Sequence, residues 1–380
     1  MLSADLLSLI MKIVVAPDKF KGSLTSFEAC EAISRGIKKA NKKMDVLEFP
    51  MADGGDGFAT VLKHYLKTDT IHCDTVDPLG RKINVSCQWD GKRKTAIIEM
   101  AVASGLVLLK EVERNPLLTS TFGTGLLIKR AIEKGAKNIV LGLGGSATND
   151  GGTGILSALG FQLINENEDQ LQPLGENLVA IKKIITPLVI SPVKFELACD
   201  VQNILHGPDG AAYVYASQKG ANERQVNMLD RGLKNLAAVI KEQTGKDISN
   251  IPGTGAAGGI AAGLLPFFEV EIKKGIEMII TASRIEEYLS NADLIITGEG
   301  KIDGQSSAGK VVGYIGSLGK KYNISCIAFC GAIELDETEI KRLGIKKIVT
   351  LTGESTGREE AMKNAAILLE KKASQLIEIL

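Results

Sequence analysis

The sequence predicts an α/β protein of two domains: a doubly wound, Rossmann-like domain built on a parallel sheet, and a second, mixed α/β domain inserted into it. Three observations predict this arrangement. Short apolar runs alternate with amphipathic segments near both ends of the chain, as in parallel sheets wound with helices. Consecutive strand-like runs occupy the region around residues 70–100. The 380 residues also exceed what one hydrophobic core usually organises.

The N-terminal region is predicted to form a strand, a turn and a helix. The run KIVVAP at 12–17 is rich in β-branched residues, and Gly22 marks the turn that follows it. Thr25 and Glu28 have the spacing of a capping box, and apolar residues recur behind them at helical spacing. A second strand at 46–50 leads into a glycine-rich loop.

The middle of the chain follows a different pattern. Three strands with turn signals between them are predicted within residues 70–100, which is a meander that a purely parallel domain would not contain. A helix near 124–135, a strand at 138–144 and a helix from about Thr148 follow. This region is therefore predicted to be a domain of its own.

The C-terminal region returns to alternating strands and helices. Strands are predicted at 292–298, 324–331 and 346–351, and the chain ends in an amphipathic helix near 358–378. The alternation of strands and helices matches that of the N-terminal region, so the two regions are predicted to form one sheet.

The predicted Rossmann-like domain is therefore discontinuous, with residues 11–68 and 285–380, and the inserted α/β domain spans 69–284. A cleft between two such domains is a common place for a ligand, and we expect the active site there.

Composition excludes several classes of protein. Lysine plus arginine equals aspartate plus glutamate at 45 each, so no net charge favours nucleic acid or an acidic membrane. No run approaches the ~18 apolar residues of a membrane span. The six cysteines show no metal or disulfide spacing, so reduced thiols and a cytoplasmic location are expected. Residues 1–10 make a poor signal peptide, and Met11 is predicted to be the functional start.

A glycine-rich loop at 142–154 follows a predicted strand and precedes a helix. Glycines let backbone N–H groups approach phosphate oxygens, and a helix N-terminus adds a favourable dipole. Gly142 and its neighbours also match a dinucleotide fingerprint, with Glu166 near the position of the ribose-binding acid. The polar residues around the glycines favour a phosphate site, although a capped turn would look similar. The candidate binding residues are Gly144, Gly145, Ser146, Thr148, Asn149 and Asp150.

A second loop, at 298–310, combines glycines with charged residues. The glycines of this loop and its last residue, Lys310, have the spacing of a P-loop. Val311, however, stands where a P-loop has its Mg²⁺-binding hydroxyl, so a true P-loop is rejected. Lys310 can still supply a positive charge to a phosphate, or simply begin a helix. Glu299 and Asp303 are the candidate Mg²⁺ ligands, since Mg²⁺ prefers carboxylate oxygens beside phosphates.

Further carboxylates and lysines lie where predicted strands end. Asp18 and Lys21 follow the first strand, Asp53 follows the second, and Asp200 follows FELACD at 195–200. Ligands of doubly wound sheets bind at this edge, and an aspartate there is a candidate base for a hydroxyl group. Each aspartate could equally cap a turn.

Taken together, several segments resemble those of the bacterial glycerate kinase family, of the glycerate 2-kinase type, from Met11 to the C-terminus. The blocks that carry the resemblance are APDKFKGSLTS, PMADGGDG, IEMAVASGL, GGSATNDGG, ACDVQN, SQKGA, GTGAAGGIAAGLL and TGEGKIDGQSSAGK. The resemblance implies ATP and Mg²⁺ as cofactors, D-glycerate as substrate, and a product phosphorylated at the 2-hydroxyl. Three positions depart from the family pattern, namely Asp56, Leu126 and Ile204.

Chemistry then suggests roles for the residues that fall in these blocks. We hypothesise that Asp200 or Asp53 orients the glycerate hydroxyl, and that Lys21 and Lys310 neutralise the transferring phosphate. The residues from Gly144 to Asp150 would hold the phosphates, with Asp18 also near the ligands. Glu299 and Asp303 would lie near Mg²⁺.

Two other functions fit parts of the sequence. The fingerprint at Gly142 would suit an NAD-dependent oxidoreductase of a small hydroxy acid. A sugar-acid sensor that kept the fold without catalysis is the other alternative. No nucleic-acid or membrane partner is expected.

Overall fold

The computed structural model describes residues 11–304, 310–352 and 357–379. Residues 1–10, which bear on the predicted start at Met11, and residues 305–309 of the loop before Lys310 lie outside the described residues.

The described residues form strands of three to nine residues, joined by helices. The strands are β1 (Lys12–Val15), β2 (Asp45–Glu48), β3 (Asp69–Val76), β4 (Lys82–Asp90), β5 (Thr95–Glu99), β6 (Asn138–Gly142), β7 (Gln162–Ile164), β8 (Lys183–Ile185), β9 (Lys194–Ala198), β10 (Glu269–Lys273), β11 (Leu294–Ile302), β12 (Ser325–Ile333) and β13 (Lys347–Thr350).

The helices range from single turns to a helix of 22 residues. They are α1 (Ser26–Ala40), α2 (Phe58–Leu66), α3 (Ala101–Ser104), α4 (Phe122–Glu133), α5 (Thr153–Ala158), α6 (Ala211–Tyr215), α7 (Glu223–Thr244), α8 (Ile260–Leu264), α9 (Gly275–Ser283), α10 (Glu286–Leu289), α11 (Val311–Tyr322), α12 (Glu337–Leu343), α13 (Arg358–Lys363) and α14 (Ala365–Glu378). Short 3₁₀ helices occur at Leu106–Leu108, Glu111–Glu113, Gly175–Ala180, Ser217–Lys219 and Ala256–Gly258.

The chain divides into two compact units. The first contains the described residues through Asp53 and those from Ile276 onward, and the second is Gly54–Gly275. The bounds predicted from sequence were 11–68 with 285–380, and 69–284. Helix α2, which those bounds group with the first domain, packs on β4 and β5 of the second unit.

The first unit is built on a five-stranded sheet in the order β13-β12-β11-β1-β2, and all its pairings are parallel. The chain moves outward in one direction from β1 to β2 and in the other from β11 to β13. Right-handed crossovers then place the connecting helices on opposite faces, which makes the sheet doubly wound. The strand order reverses between β1 and β11, and this is where such sheets bind ligands.

The core of the first unit lies between the sheet and the packed pair α1 and α14. Helix α1 begins with the predicted capping box, in which the side chain of Thr25 accepts from the backbone N–H of Glu28 and Glu28 accepts from Thr25. Gly36 allows the two helices to approach closely, since a Cβ there would lie 2.2 Å from the carbonyl oxygen of Glu370.

The second unit has a six-stranded mixed sheet in the order β10-β9-β6-β5-β4-β3. The predicted meander is confirmed, because β3, β4 and β5 pair antiparallel. Strands β5, β6, β9 and β10 pair in parallel, and β7 and β8 form a separate antiparallel pair. The fold class is therefore the predicted one, with one parallel sheet and one mixed sheet.

Two predicted helices differ from those in the structure. The helix expected from about Thr148 begins at Thr153, because residues 146–152 form a loop held by side-chain hydrogen bonds. The helix expected over 358–378 is interrupted at Asn364, which separates α13 from α14. None of the helices in the described residues combines the length and the hydropathy needed to cross a bilayer.

Gly36→Ala should destabilise the first unit. Alanine raises helix propensity by up to about 1 kcal/mol. The clash with the backbone of α14 should outweigh this gain and lower the free energy of unfolding by about 1–3 kcal/mol. Chemical denaturation of both proteins would measure the difference. Lys39→Ala, on the exposed face of α1, should change it by less than about 0.5 kcal/mol. Equal effects of the two substitutions would contradict the packing argument.

Candidate active site

Three carboxylates and a lysine lie at the carboxyl edge of the first unit's sheet. Asp18 follows β1, Asp53 follows β2, and Glu299 lies in the second half of β11. The backbone N–H of Asp18 donates to the carbonyl oxygen of Gly298 at 2.8 Å, which continues the pairing of β1 with β11 beyond the strand. The Nζ atom of Lys19 lies 3.5 Å from Asp53 Oδ1 and 4.0 Å from Asp18 Oδ1. We call these four residues the acidic edge.

The electrostatics of the acidic edge are dominated by the burial of Asp18, which is 5% exposed. Burial raises the pKa of Asp18 to about 7, Lys19 opposes the shift, and the charges of Asp53 and Glu299 add to it. Asp18 therefore changes its protonation state near neutral pH, and a cationic ligand would favour its charged form.

The other predicted residues of the first unit are Lys21, Lys310 and Asp303. Lys21 is exposed in the turn that Phe20 and Leu24 close. Lys310 occupies the N-cap position of α11 and is partly buried. Asp303 forms an ion pair with Lys301 at 3.6 Å, whereas Glu299, its predicted partner in Mg²⁺ binding, acts on Asp18.

No group of three or more His, Cys, Asp or Glu side chains is arranged to hold a metal ion by itself within residues 11–304, 310–352 and 357–379. All six cysteines are free and buried.

In the second unit, the predicted glycine loop packs directly on the loop that precedes α2. A Cβ at Gly144 would lie 2.4 Å from the Cα of Gly55, so only glycine fits there. Gly145 adopts a φ of 74°, in the left-handed region that favours glycine, and the carboxylate of Asp56 lies beside it. Glu99 accepts from the backbone N–H of Ala59 at 2.7 Å and so stabilises the start of α2.

The polar residues of this loop bond mainly to one another and to neighbouring backbone. Ser146 Oγ accepts from the N–H of Thr148 at 3.2 Å and lies 3.1 Å from its Oγ1 atom. The carbonyl oxygen of Thr148 accepts from Lys219 Nζ at 2.6 Å. The segment 253–259 packs against the same turn, since a Cβ at Gly258 would lie 2.1 Å from that carbonyl oxygen. The segment therefore serves close packing in the structure.

Asp150 is fully buried and organises the loop. Its Oδ2 atom accepts from the backbone N–H and the hydroxyl of Thr121 at 2.7 and 2.8 Å and from the N–H of Gly154 at 3.2 Å, while Oδ1 accepts from the N–H of Gly152 at 3.1 Å. Burial raises its pKa, and these hydrogen bonds oppose the shift. Direct contact of Asp150 with a nucleotide stays a prediction, but its oxygens already serve the backbone.

Asn149 is also fully buried, and its side-chain Oδ1 and Nδ2 atoms have no hydrogen-bond partner among the described residues. Buried amides normally satisfy both atoms, so this side chain is suited to bond a water molecule or a ligand group.

Asp200 lies two residues beyond β9, and its Oδ1 atom accepts from the backbone N–H of Gly275 at 3.1 Å. Gly275 is the first residue of α9, so the carboxylate stabilises that helix start, as the capping alternative expected. A role of Asp200 as the base stays a prediction.

Two lysines that the sequence analysis did not select are central to the structure. Lys19 links Asp18 to Asp53, and Lys219 holds the glycine loop. Lys19 was detectable, because it directly follows Asp18 at the end of a strand. Lys219 lies in the quoted block SQKGA, but nothing in its neighbours indicates a buried side chain.

The dinucleotide fingerprint at Gly142 is not supported by the topology. In a dinucleotide-binding unit, the helix after the glycines leads to the next parallel strand, which carries the ribose-binding acid. Here α5 leads to β7, which pairs only with the antiparallel β8 among the described strands, and Glu166 is exposed in the turn beyond it. The glycines therefore serve a different purpose.

A doubly wound sheet with carboxylates at its switch point and a second unit with a polar glycine loop together offer groups that suit phosphoryl transfer. The sequence profile of the glycerate kinase family matches residues 13–380. The chain is 39% identical to the glycerate kinase of Halalkalibacterium halodurans over 367 residues, covering 96% of this chain and 97% of that protein. It is also 39% identical to the glycerate 2-kinase of Escherichia coli over 359 residues, or 93% and 94% of the two chains.

A crystal structure of a Salmonella typhimurium protein assigned as glycerate kinase 2 has the same fold. The TM-score is 0.83 at 35% sequence identity, and the match covers 97% of this chain and 98% of that one. The chain therefore belongs to the glycerate kinase family, and it is a kinase.

Asp18→Asn should stabilise the protein in a pH-dependent way. The folded-state pKa of about 7 exceeds the ordinary 3.8, so native Asp18 holds a proton that the unfolded chain releases. Its contribution to stability is thus present below pH 4 and is lost as pH rises toward 7. Asparagine should raise the melting temperature at pH 8, by an amount equivalent to a few kcal/mol (about 1.4 per pKa unit), and change it little at pH 4.

The exposed Asp45 provides the control, since Asp45→Asn should leave the melting temperature unchanged at both pH values. A gain from Asp18→Asn of the same size at pH 4 and pH 8 would show that burial of the charge is not the cause.

Proposed function

We propose that this protein transfers the γ-phosphoryl group of ATP to the 2-hydroxyl of D-glycerate and releases ADP. Membership of the glycerate kinase family and the similarity to a glycerate 2-kinase support the substrate and the position. The structural observation that carries the chemistry is the buried Asp18, held beside Lys19, Asp53 and Glu299 at the switch point of the parallel sheet.

The acidic edge suits the handling of a hydroxyl and of a phosphate-bound cation. In the transfer, a hydroxyl oxygen of glycerate forms a bond to the γ-phosphorus, the bond to the ADP oxygen breaks, and the hydroxyl proton passes to a carboxylate. Asp53 and Asp200 remain the proposed residues that orient the hydroxyl. Lys21 and Lys310 remain the proposed partners of the transferring phosphate.

The donor set of the acidic edge fits Mg²⁺. Mg²⁺ takes one or two protein carboxylates and completes its shell with phosphate oxygens and water, so the lack of a three-carboxylate group in the described residues is compatible with it. We propose Glu299 and Asp303 as its ligands, and the charge of Glu299 acts on the buried Asp18. When bound, Mg²⁺ would neutralise phosphate charge and hold Asp18 in its ionised form.

The glycine loop of the second unit is proposed to bind nucleotide phosphates through Gly144, Gly145, Ser146 and their backbone N–H groups. Thr148 and Asp150 would act indirectly, because their polar atoms bond within the loop. Asn149 offers an amide without a protein partner in the described residues. Successive backbone N–H groups in a loop of this kind can form an anion-binding concavity.

The proposal is tested by ³¹P NMR of the product after incubation with ATP, Mg²⁺ and D-glycerate. Phosphate on the 2-hydroxyl is attached to a carbon with one proton and gives a doublet, whereas phosphate on the 3-hydroxyl gives a triplet. A triplet would overturn the proposed position, and unchanged ATP would overturn the activity. Thermal stabilisation by NADH but not by ATP would favour an oxidoreductase. Binding of glycerate without release of ADP would favour a sensor.

Asp200→Asn should lower kcat by 10²-fold or more, equivalent to about 2.7 kcal/mol of activation free energy. Asparagine keeps an oxygen for the N–H of Gly275, so the melting temperature should change little. Steady-state kinetics at saturating ATP and glycerate would measure the effect. Asp209→Asn, at an exposed position in the following loop, serves as the matched control. A near-normal kcat for Asp200→Asn would remove Asp200 from the proposed mechanism.

A further inference from the structure

Lys219 is an unusual lysine because it is 2% exposed. Lysine is almost never buried this deeply unless its ammonium group is paired. The backbone around it is rigid: Lys219 donates its N–H to Ala216 at the end of the 3₁₀ helix Ser217–Lys219. Gly220 follows with a φ of 98°, and a Cβ there would lie 2.1 Å from the carbonyl oxygen of Arg114. The side chain is therefore directed from a fixed position.

The ammonium group ends beneath the glycine loop. Lys219 Nζ donates to the carbonyl oxygen of Thr148 at 2.6 Å, and the charge of Asp150 acts on it from two residues further along the loop. Burying a carboxylate and an ammonium is costly unless each compensates the other. Asp150 is bound by backbone N–H groups, and its charge also acts on Lys219, so the two buried groups influence each other without a direct ion pair.

This contact fixes the part of the loop where the neighbouring segments meet. Ser146 Oγ bonds to Thr148 and to the carbonyl oxygen of Ala257 at 3.3 Å, and Gly258 packs on the Thr148 carbonyl. The peptide between Thr148 and Asn149 therefore has its orientation set by Lys219. That orientation determines where the N–H groups of the loop point and where the Asn149 side chain lies.

We infer that Lys219 is a positioning residue for the phosphates of the nucleotide: it holds the loop 144–150 in its binding shape and places a positive charge beneath it. The inference rests on the proposed function of this loop. It concerns a residue that acts through the loop and does not touch the reacting atoms. Polyphosphate binding benefits twice, from preorganised N–H groups and from the nearby cation.

Lys219→Met tests the inference, since methionine keeps most of the side-chain volume and removes both the donor and the charge. Km for ATP should rise by about tenfold or more, while Km for glycerate should stay within about twofold. Lys219→Arg keeps the charge and should recover most of the loss. Lys246→Met is the matched control, because Lys246 also donates to a backbone carbonyl, that of Pro266 at 2.8 Å, but at an exposed position remote from this loop in sequence.

The pH profile separates positioning from a purely structural role. Burial lowers the pKa of Lys219 to about 7, opposed by Asp150. Asp150 is the charged group that acts on Lys219, and the backbone of Arg114 packs on the adjoining Gly220. In the wild type, kcat/Km for ATP should fall as pH rises above about 7. This decrease should be absent from Lys219→Arg, because arginine stays charged.

Three results would overturn the inference. The first is unchanged ATP kinetics in Lys219→Met. The second is a loss of activity that affects the kinetics of both substrates in proportion to the unfolded fraction. The third is failure of both Lys219 variants to fold. If the wild type transfers no phosphate, the proposed function fails. Thermal stabilisation by ATP then still tests Lys219, because Lys219→Met should weaken it and Lys246→Met should not.

Discussion

The parallel pairing of β1 with β11 joins segments that are far apart along the chain and places their carboxyl ends side by side. The hydroxyl of Thr297 donates to the carbonyl oxygen of Ala16 across 281 residues, and the N–H of Asp18 continues the ladder to Gly298. Asp18 and Glu299 therefore share one edge because the backbone requires it. The acidic edge depends on this pairing, and so does the reversal of strand order that opens the edge to ligands.

The same constraint explains why Asp18 is costly to bury. Strands at the centre of a parallel sheet are covered on both faces, so a carboxylate just beyond β1 loses most of its water. Lys19 compensates only in part, since it is shared between Asp18 and Asp53. The first unit thus keeps Asp18 buried beside other carboxylates at a cost in stability, which is common at functional sites.

Much of the fold could be predicted from the sequence where neighbouring residues determine the structure. The Thr25–Glu28 capping box, the meander at 70–100 and the alternating elements of the first unit follow from spacing and periodicity. The helix expected from Thr148 was wrong because Asp150 binds backbone N–H groups that a helix would otherwise use, a competition that propensity does not register. The proximity of Glu299 to Asp18 could not be predicted either, because it depends on the order of the strands in the sheet.

Lys219 shows most clearly what could not be predicted from the sequence. It also shows how the second unit differs from the first. A lysine in a polar segment is normally solvated, and only the tertiary structure shows that this one lies beneath the glycine loop. The first unit brings carboxylates together at the edge of its sheet, whereas the second buries a lysine beneath a loop rich in glycine. In a phosphoryl transfer, carboxylates suit a cation and a hydroxyl, whereas preorganised N–H donors suit phosphates. Under the proposed function, each unit therefore supplies one of these two environments.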